Sequence, residues 1–454
     1  MGHQPNAPGR ERPAVRKTTA QGSPRPEQGQ NRPTTPTRSV LAASVGWVTD
    51  GPIDRPGQGV PDSGTSGRSG TTVLVASLVA RIPQGMAPLA ILLLVHGRTG
   101  SVATAGLATG AWAIGAAAAP PLWARPAGRG RAERVVVVLG LAQALVLAII
   151  ASWPGDQVVA WLGLAALGGL LAPPVTPVAR TLWPRLGRSA HDVDRLYTLD
   201  ATAQELIFIV GPALVGALVA GYSPSAALFA AAAAGAVGAA LFGRVIAPIW
   251  EPHPSTVDRP PLGRGLWVPW LSLFALSLGL GTTEVGVPAT ALADGRAAAS
   301  GLILAVWSLG SLVGGVISSR RVWGATPARR APALLGGLIA GSILVWIAWG
   351  YGLGWLTAAL FVAGLALAPT LAALYGVIAD VSNETRRTDA FAFGNTSILL
   401  GLGLGAAVGG KLSALDPRLG FAASAGLFAL AAAPTLLQRV RSTRRSSHTG
   451  SSAS

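Results

Sequence analysis

A chain of 454 residues in which half are hydrophobic and 12% charged cannot clothe a soluble surface of its size, since soluble domains carry roughly 25% charged residues. Its formal net charge of +16 would suit a nucleic-acid binder, but the arginines are neither interleaved with aromatics nor gathered on one amphipathic helix, so no nucleic-acid partner is expected. The absence of cysteine excludes disulfides, thiol catalysis and thiolate metal sites; no His/Asp/Glu cluster has metal-ligand spacing, and neither a metal nor a cofactor is expected.

Residues 1–71 are rich in Pro, Gly, Arg, Gln, Ser and Thr and read as a disordered basic N-terminal tail, whose one apolar patch, 40–48, is too short to span a bilayer. From Thr72 onward, runs of bilayer-spanning length follow one another: 72–96, 101–122, 135–153, 157–179, 197–220 and 224–247, then 267–290, 298–318, 331–349, 353–379, 389–410 and 418–438. They are loaded with Gly and Ala, which lets helices pack closely where lipid supplies no hydrophobic drive. Between the sixth and seventh lies 249–266, a polar stretch that includes EPHPSTVDRPPLGR with four prolines; it reads as a solvated linker. The expectation is an all-α integral membrane fold of twelve transmembrane helices in two six-helix bundles, 72–248 and 267–438, with a basic C-terminal tail at 439–454.

The arginines test this count. The breaks hold Arg98; then Arg125, Arg129, Arg131 and Arg134; then none; then Arg180, Arg185, Arg188 and Arg195; then none; then Arg244, Arg259 and Arg264. The second half gives Arg296; then Arg320, Arg321, Arg329 and Arg330; then none; then Arg386 and Arg387; then Lys411 and Arg418, which tie the break before them. Rich and poor breaks alternate up to that last one. The positive-inside rule then places the rich breaks and both termini in the cytoplasm.

The halves also repeat. Trp112-Ala113-Ile114-Gly115 matches Trp307-Ser308-Leu309-Gly310 at an offset of 307 − 112 = 195, and Arg125 matches Arg320. Gly168 and Leu171-Ala172-Pro173 match Gly364 and Leu367-Ala368-Pro369, where 369 − 173 = 196. An offset that holds across separated regions indicates a duplicated, pseudo-symmetric half.

Twelve spans in two similar halves with a polar linker resemble the major facilitator superfamily over about residues 72–438. That superfamily's motif between the second and third helices runs Gly, three residues, Asp, Arg, any, Gly, Arg, Arg. Here the loop reads Pro121-Leu-Trp-Ala-Arg125-Pro126-Ala127-Gly128-Arg129-Gly130-Arg131. Gly128 and Arg129 match and Arg131 supplies the second basic residue one place on; Arg125 replaces the acid and Pro121 the first Gly, and 315–330 in the second half also lacks the acid. Gly211-Pro212-Ala213-Leu214-Val215-Gly216 resembles the Gly-Pro motif in the fifth helix of proton-coupled exporters, with one of its final Gly pair present. The resemblance implies a secondary transporter of a small solute in the cytoplasmic membrane, driven by protons or another ion, tilted toward export. The alternative is a polytopic sensor or scaffold on a transporter frame. An enzyme is not expected, since no paired carboxylates, intramembrane His or nucleophile–base set is present.

Charged residues inside spans are costly and therefore functional candidates. Arg81 and Glu205 lie at similar depth in the first and fifth spans and are expected to pair; Glu284 lies near the outer end of the seventh. Gln84, Gln143, Gln204, Asn395 and Thr396 either line a pathway or join helices by hydrogen bonds. Pro173, Pro174 and Pro177 in the fourth span and Pro369 in the tenth, with Gly211 and Pro212 in the fifth, are expected to kink or break cavity-lining helices. Asp200, Asp380 and Asp389 are expected to be solvated at cytoplasmic helix ends.

Overall fold

The computed structural model describes residues 1–2, 66–187, 189–251, 263–321, 323–382 and 386–450. Most of the expected N-terminal tail (3–65), most of the linker (252–262) and residues 451–454 lie outside the described residues. The described chain is built of helices: α1 (Ser66–Thr99), α2 (Val102–Arg129), α3 (Ala132–Ser152), α4 (Val158–Leu170), α5 (Val175–Leu186), α6 (Ala190–Gly221), α7 (Pro224–Ile246), α8 (Trp267–Ala293), α9 (Ala299–Arg320), α10 (Pro327–Ala348), α11 (Leu353–Gly364), α12 (Leu367–Val381), α13 (Arg387–Leu415) and α14 (Pro417–Gly450). They supply twelve candidate membrane spans of 20 residues or more, with α4–α5 forming the fourth, Val158–Leu186, and α11–α12 the tenth, Leu353–Val381. Twenty helical residues at about 1.5 Å each cover the roughly 30 Å of hydrocarbon. A helix suits this solvent because it satisfies its own backbone polar groups.

Several span starts are set by side-chain caps. The Ser101, Ser189 and Ser223 hydroxyls accept from the backbone N–H of Thr104, Asp192 and Ala226, each at 3.1 Å, satisfying a donor that the first turn leaves unpaired.

The fourth and tenth spans break where prolines were expected to interrupt them. In the fourth, α4 stops at Leu170 and α5 begins at Val175, because Pro173 and Pro174 have no N–H for the carbonyls of Gly169 and Leu170. The stranded carbonyls find other donors. Trp123 Nε1–H donates to Leu170 O at 2.6 Å, Gln143 Nε2–H to Gly168 O at 2.9 Å, and the Ala172 N–H to Gly169 O at 3.1 Å. In the tenth, α11 ends at Gly364 and α12 begins at Leu367. Pro177 and Pro369 each occupy the third position of the helix that follows, where a missing N–H costs little. Since 367 − 175 and 369 − 177 both equal 192, the structural counterpart of Pro369 is Pro177 rather than Pro173.

The repeat is visible as duplicated contacts. A Cβ on Gly169 would meet the Trp112 carbonyl and one on Gly115 the Ala166 carbonyl; a Cβ on Gly364 would meet the Trp307 carbonyl and one on Gly310 the Phe361 carbonyl. All four positions are displaced by 195. Gly169, not Gly168, is therefore the counterpart of Gly364. Gly85 against the Ile207 carbonyl likewise recurs as Gly281 against the Leu402 carbonyl, where 281 − 85 = 196 and 402 − 207 = 195.

The two halves meet mainly through α2 with α13 and α6 with α9. A Cβ on Gly106 would overlap Gly410 Cα and one on Gly301 would overlap Gly216 Cα. Gly106 lies in the second turn of α2 and Gly301 in the first turn of α9; Gly216 and Gly410 lie in the last turns but one of α6 and α13. With spans alternating in direction, all four sit at the end of the bundle opposite the one where the first span starts and the last span finishes. At the other end α5 packs on α1 and α6, while α12 packs on α8, α9, α10, α11 and α13. Each of these half-helices thus packs on its own half.

Candidate functional site

The most strongly built polar cluster lies within the first half. Arg81, on α1, and Asp200, on α6, both have fully buried side chains, and Arg81 Nη1 donates to Asp200 Oδ1 at 2.7 Å. Arg180 Nε, on α5, donates to the other carboxylate oxygen, Oδ2, at 2.8 Å, with its side chain 13% exposed. Arg81 Nη1 also reaches Gln204 Oε1 at 3.4 Å, and the Tyr197 hydroxyl donates to the Arg180 carbonyl at 3.1 Å. Both oxygens of Asp200 are thus engaged by charge-assisted bonds. A buried carboxylate tolerates loss of water only on such terms. The cluster holds two positive charges and one negative, and Arg81 Nε and Nη2 have no hydrogen-bond partner among the described residues.

This corrects three expectations. Arg81 pairs with Asp200, not with Glu205. Helix geometry decides the choice: Gln204 follows Asp200 by about 40° around α6, but Glu205 by about 140°. Asp200 is buried, not solvated at a helix end, because α6 begins at Ala190 and not near 197. Arg180 is a helical residue in the cluster, not a loop charge, since α5 continues to Leu186. Apolar windows find the middle of a span and miss its polar turns. The missed signal was Ser189 three residues before Asp192, a helix-start pattern.

The remaining candidates are dispersed. Glu205 is half-buried on another face of α6, and Gln84 is half-buried on α1. Gln143 is spent on the fourth-span break, as described above. Glu284 is half-buried in α8, nine residues before its end. Asn395 is exposed, and the Thr396 hydroxyl bonds to its own helix at Ala392 O, 3.1 Å. Gly211 packs against Gly85, and the Pro212 carbonyl lies against Gly301, so the Gly-Pro stretch serves close helix approach. In the loop motif Gly128 is half-buried and Arg131 exposed at the start of α3; the side chains of Arg125 and Arg129 lie outside the described residues. The Gly130 carbonyl accepts from Trp250 Nε1–H at 3.2 Å. Its second-half counterpart is held otherwise, with the Arg321 and Arg330 guanidinium groups 5.0 and 5.4 Å from the Trp323 ring centroid.

The repeat sharpens the contrast between halves. At the offsets of the Gly85 and Ile207 contacts, Arg81 corresponds to Ser277 and Asp200 to Asn395 (277 − 81 = 196; 395 − 200 = 195). The second half keeps the helix packing without the ion pair, so buried charge is concentrated in the first.

No family model matches the chain. An uncharacterised MFS-type transporter of Sinorhizobium fredii is 28% identical over 374 residues, covering 75% of this chain and 87% of that protein. Among solved structures, a bacterial homologue of the iron transporter ferroportin in an inward-facing state aligns with a TM-score of 0.64 at 16% identity, covering 81% of this chain and 98% of that one. A bacterial ferroportin homologue in an outward-facing state aligns at 0.57 and 15% identity, over 81% and 98%. A bacterial homologue of the human lysosomal transporter Spinster, inward-facing and occupied, aligns at 0.64 and 15% identity, covering 83% and 97%. With its twelve candidate membrane spans in two repeated halves, the chain is similar over three quarters of its length to an MFS-type transporter and shares the fold of these solved transporters.

Proposed function

We propose that the protein is a secondary active transporter that exports a small organic solute across the cytoplasmic membrane by alternating access, in exchange for protons. The observation that carries this reading is the asymmetric contact between halves. Small-residue seams, Gly106–Gly410 and Gly216–Gly301, close the end opposite the termini, while the broken fourth and tenth spans pack on their own halves at the other end. Two rigid bundles hinged in this way rock about a central site. The alignment scores, higher for an inward-facing than for an outward-facing ferroportin homologue, support a conformation open toward the terminal end. The arginine distribution supports placing that end, with both termini, in the cytoplasm.

Glu205 and Glu284 are the proposed proton carriers, being intramembrane carboxylates outside the Arg81–Asp200–Arg180 cluster. Gln84, Gln204, Asn395 and Thr396 are the proposed pathway side chains. Pro173, Pro177 and Pro369, with Gly211 and Pro212, form the proposed moving joints. Export rests on the likeness of 211–216 to the exporter motif. The test is solute-driven proton movement into vesicles containing the purified protein and a pH-sensitive dye. We expect at least one solute to move protons in wild type, with the response reduced at least tenfold in Glu205→Gln or Glu284→Gln. Solute counterflow that never moves protons would overturn the coupling; absence of any flux would overturn transport.

A further inference from the structure

We propose that Arg81 and Arg180 form an anion-binding subsite, so that the transported solute carries a carboxylate or an equivalent small anionic group. This rests on the transport reading above and narrows its substrate class. Two guanidinium groups converge on one carboxylate, Asp200, at 2.7 and 2.8 Å, which leaves one positive charge uncompensated among the three. Arg81 is fully buried, yet its Nε and Nη2 donors have no hydrogen-bond partner among the described residues. A buried charged donor left unbonded carries the desolvation cost of that group, and an incoming anion supplies both the missing acceptor and the missing charge.

The cluster is accessible at one edge. Arg180 is the one member of the charged trio that is not fully buried, its side chain 13% exposed. An anion therefore reaches the cluster from its Arg180 edge, on the half-helix that follows the fourth-span break. The planar donor forks of arginine match carboxylate geometry. The second half offers Ser277 and Asn395 at the equivalent places, neutral groups suited to the uncharged part of such a solute.

The experiment uses full-length protein in detergent at constant ionic strength, with thermal unfolding titrated by benzoate, by succinate and by the cation tetraphenylphosphonium. At least one anion is expected to raise the melting temperature saturably, with apparent affinity at least tenfold weaker in Arg180→Gln and largely restored in Arg180→Lys. In wild type the same anion should protect Arg180 from phenylglyoxal, read by peptide mass spectrometry, which keeps the proposal testable if Arg180→Gln does not fold. No stabilisation by either anion, an undiminished effect in folded Arg180→Gln, no protection of Arg180, or stabilisation by the cation alone would each overturn the subsite. Anion binding that is lost in Arg180→Gln but unaccompanied by flux in vesicles would instead overturn transport and leave the subsite standing.

Discussion

Replacing Asp200 by Asn isolates the energetic centre of the first half. The change keeps size and one acceptor oxygen but removes the charge that two arginines share at 2.7 and 2.8 Å. Arg81, fully buried, would be left as an uncompensated cation beside a second one. Removing one partner of a buried ion pair costs about 3–5 kcal/mol, and for a chain of this size each kcal/mol lowers the melting temperature by about 2 °C, giving a fall of about 6–10 °C. The assay is thermal unfolding in detergent, run as a double-mutant cycle. Asp200→Asn with Arg81→Gln should be less damaging than the sum of the two, with coupling of about 2–3 kcal/mol, whereas Glu205→Gln with Arg81→Gln should add within about 0.5 kcal/mol. A melting temperature within 2 °C of wild type for Asp200→Asn, taken as roughly 1 kcal/mol, would refute the reasoning. So would coupling that appears with Glu205 and not with Asp200.

Other substitutions probe the breaks and the repeat. Trp123→Phe and Gln143→Leu each strand a carbonyl at the fourth-span break, Leu170 O and Gly168 O; each should cost about 1 kcal/mol in thermal unfolding, a typical net hydrogen-bond contribution. Gly169→Ala and Gly364→Ala place a methyl on the Trp112 and Trp307 carbonyls; by overpacking each should cost about 1–3 kcal/mol, and similar values for the pair would support the duplicated geometry. Gly301→Val should wedge the seam at Gly216 and expose the end opposite the termini. Thiol labelling of a single Ser300→Cys, buried in wild type, should then speed up several-fold against the same cysteine in the parent background.

The architecture was legible because lipid imposes a blunt requirement, about 20 apolar residues per crossing, which every span meets. The repeat was legible because Trp112 and Trp307 anchor the same helix contact in each half, so composition and packing changed together. The site was less legible. Hydropathy ended the fourth span at 179, one residue short of Arg180, and began the fifth at 197, which put Asp200 in its first turn as if at a solvated helix end, whereas the helix starts at Ala190. Depth alone then matched Arg81 with Glu205, although the side of α6 that faces α1 is set by rotation as well as height. Caps at Ser189 and a four-residue spacing from Asp200 to Gln204 carried that information. The pairing of prolines slipped similarly: sequence aligned Pro369 with Pro173, whereas the helix starts align it with Pro177.

Alternating access is tested most directly by distances between the halves at both ends. With no native cysteine, paired spin labels are unique at Thr181→Cys and Asp380→Cys, on α5 and α12, and at Arg98→Cys and Asp294→Cys, beside the turns opposite the termini. In the resting protein the terminal-side pair should be the more widely separated relative to a closed arrangement. Adding a stabilising solute, or changing pH, should shorten that distance while lengthening the opposite one. Distances that stay fixed at both ends under conditions where solute binds would contradict the account.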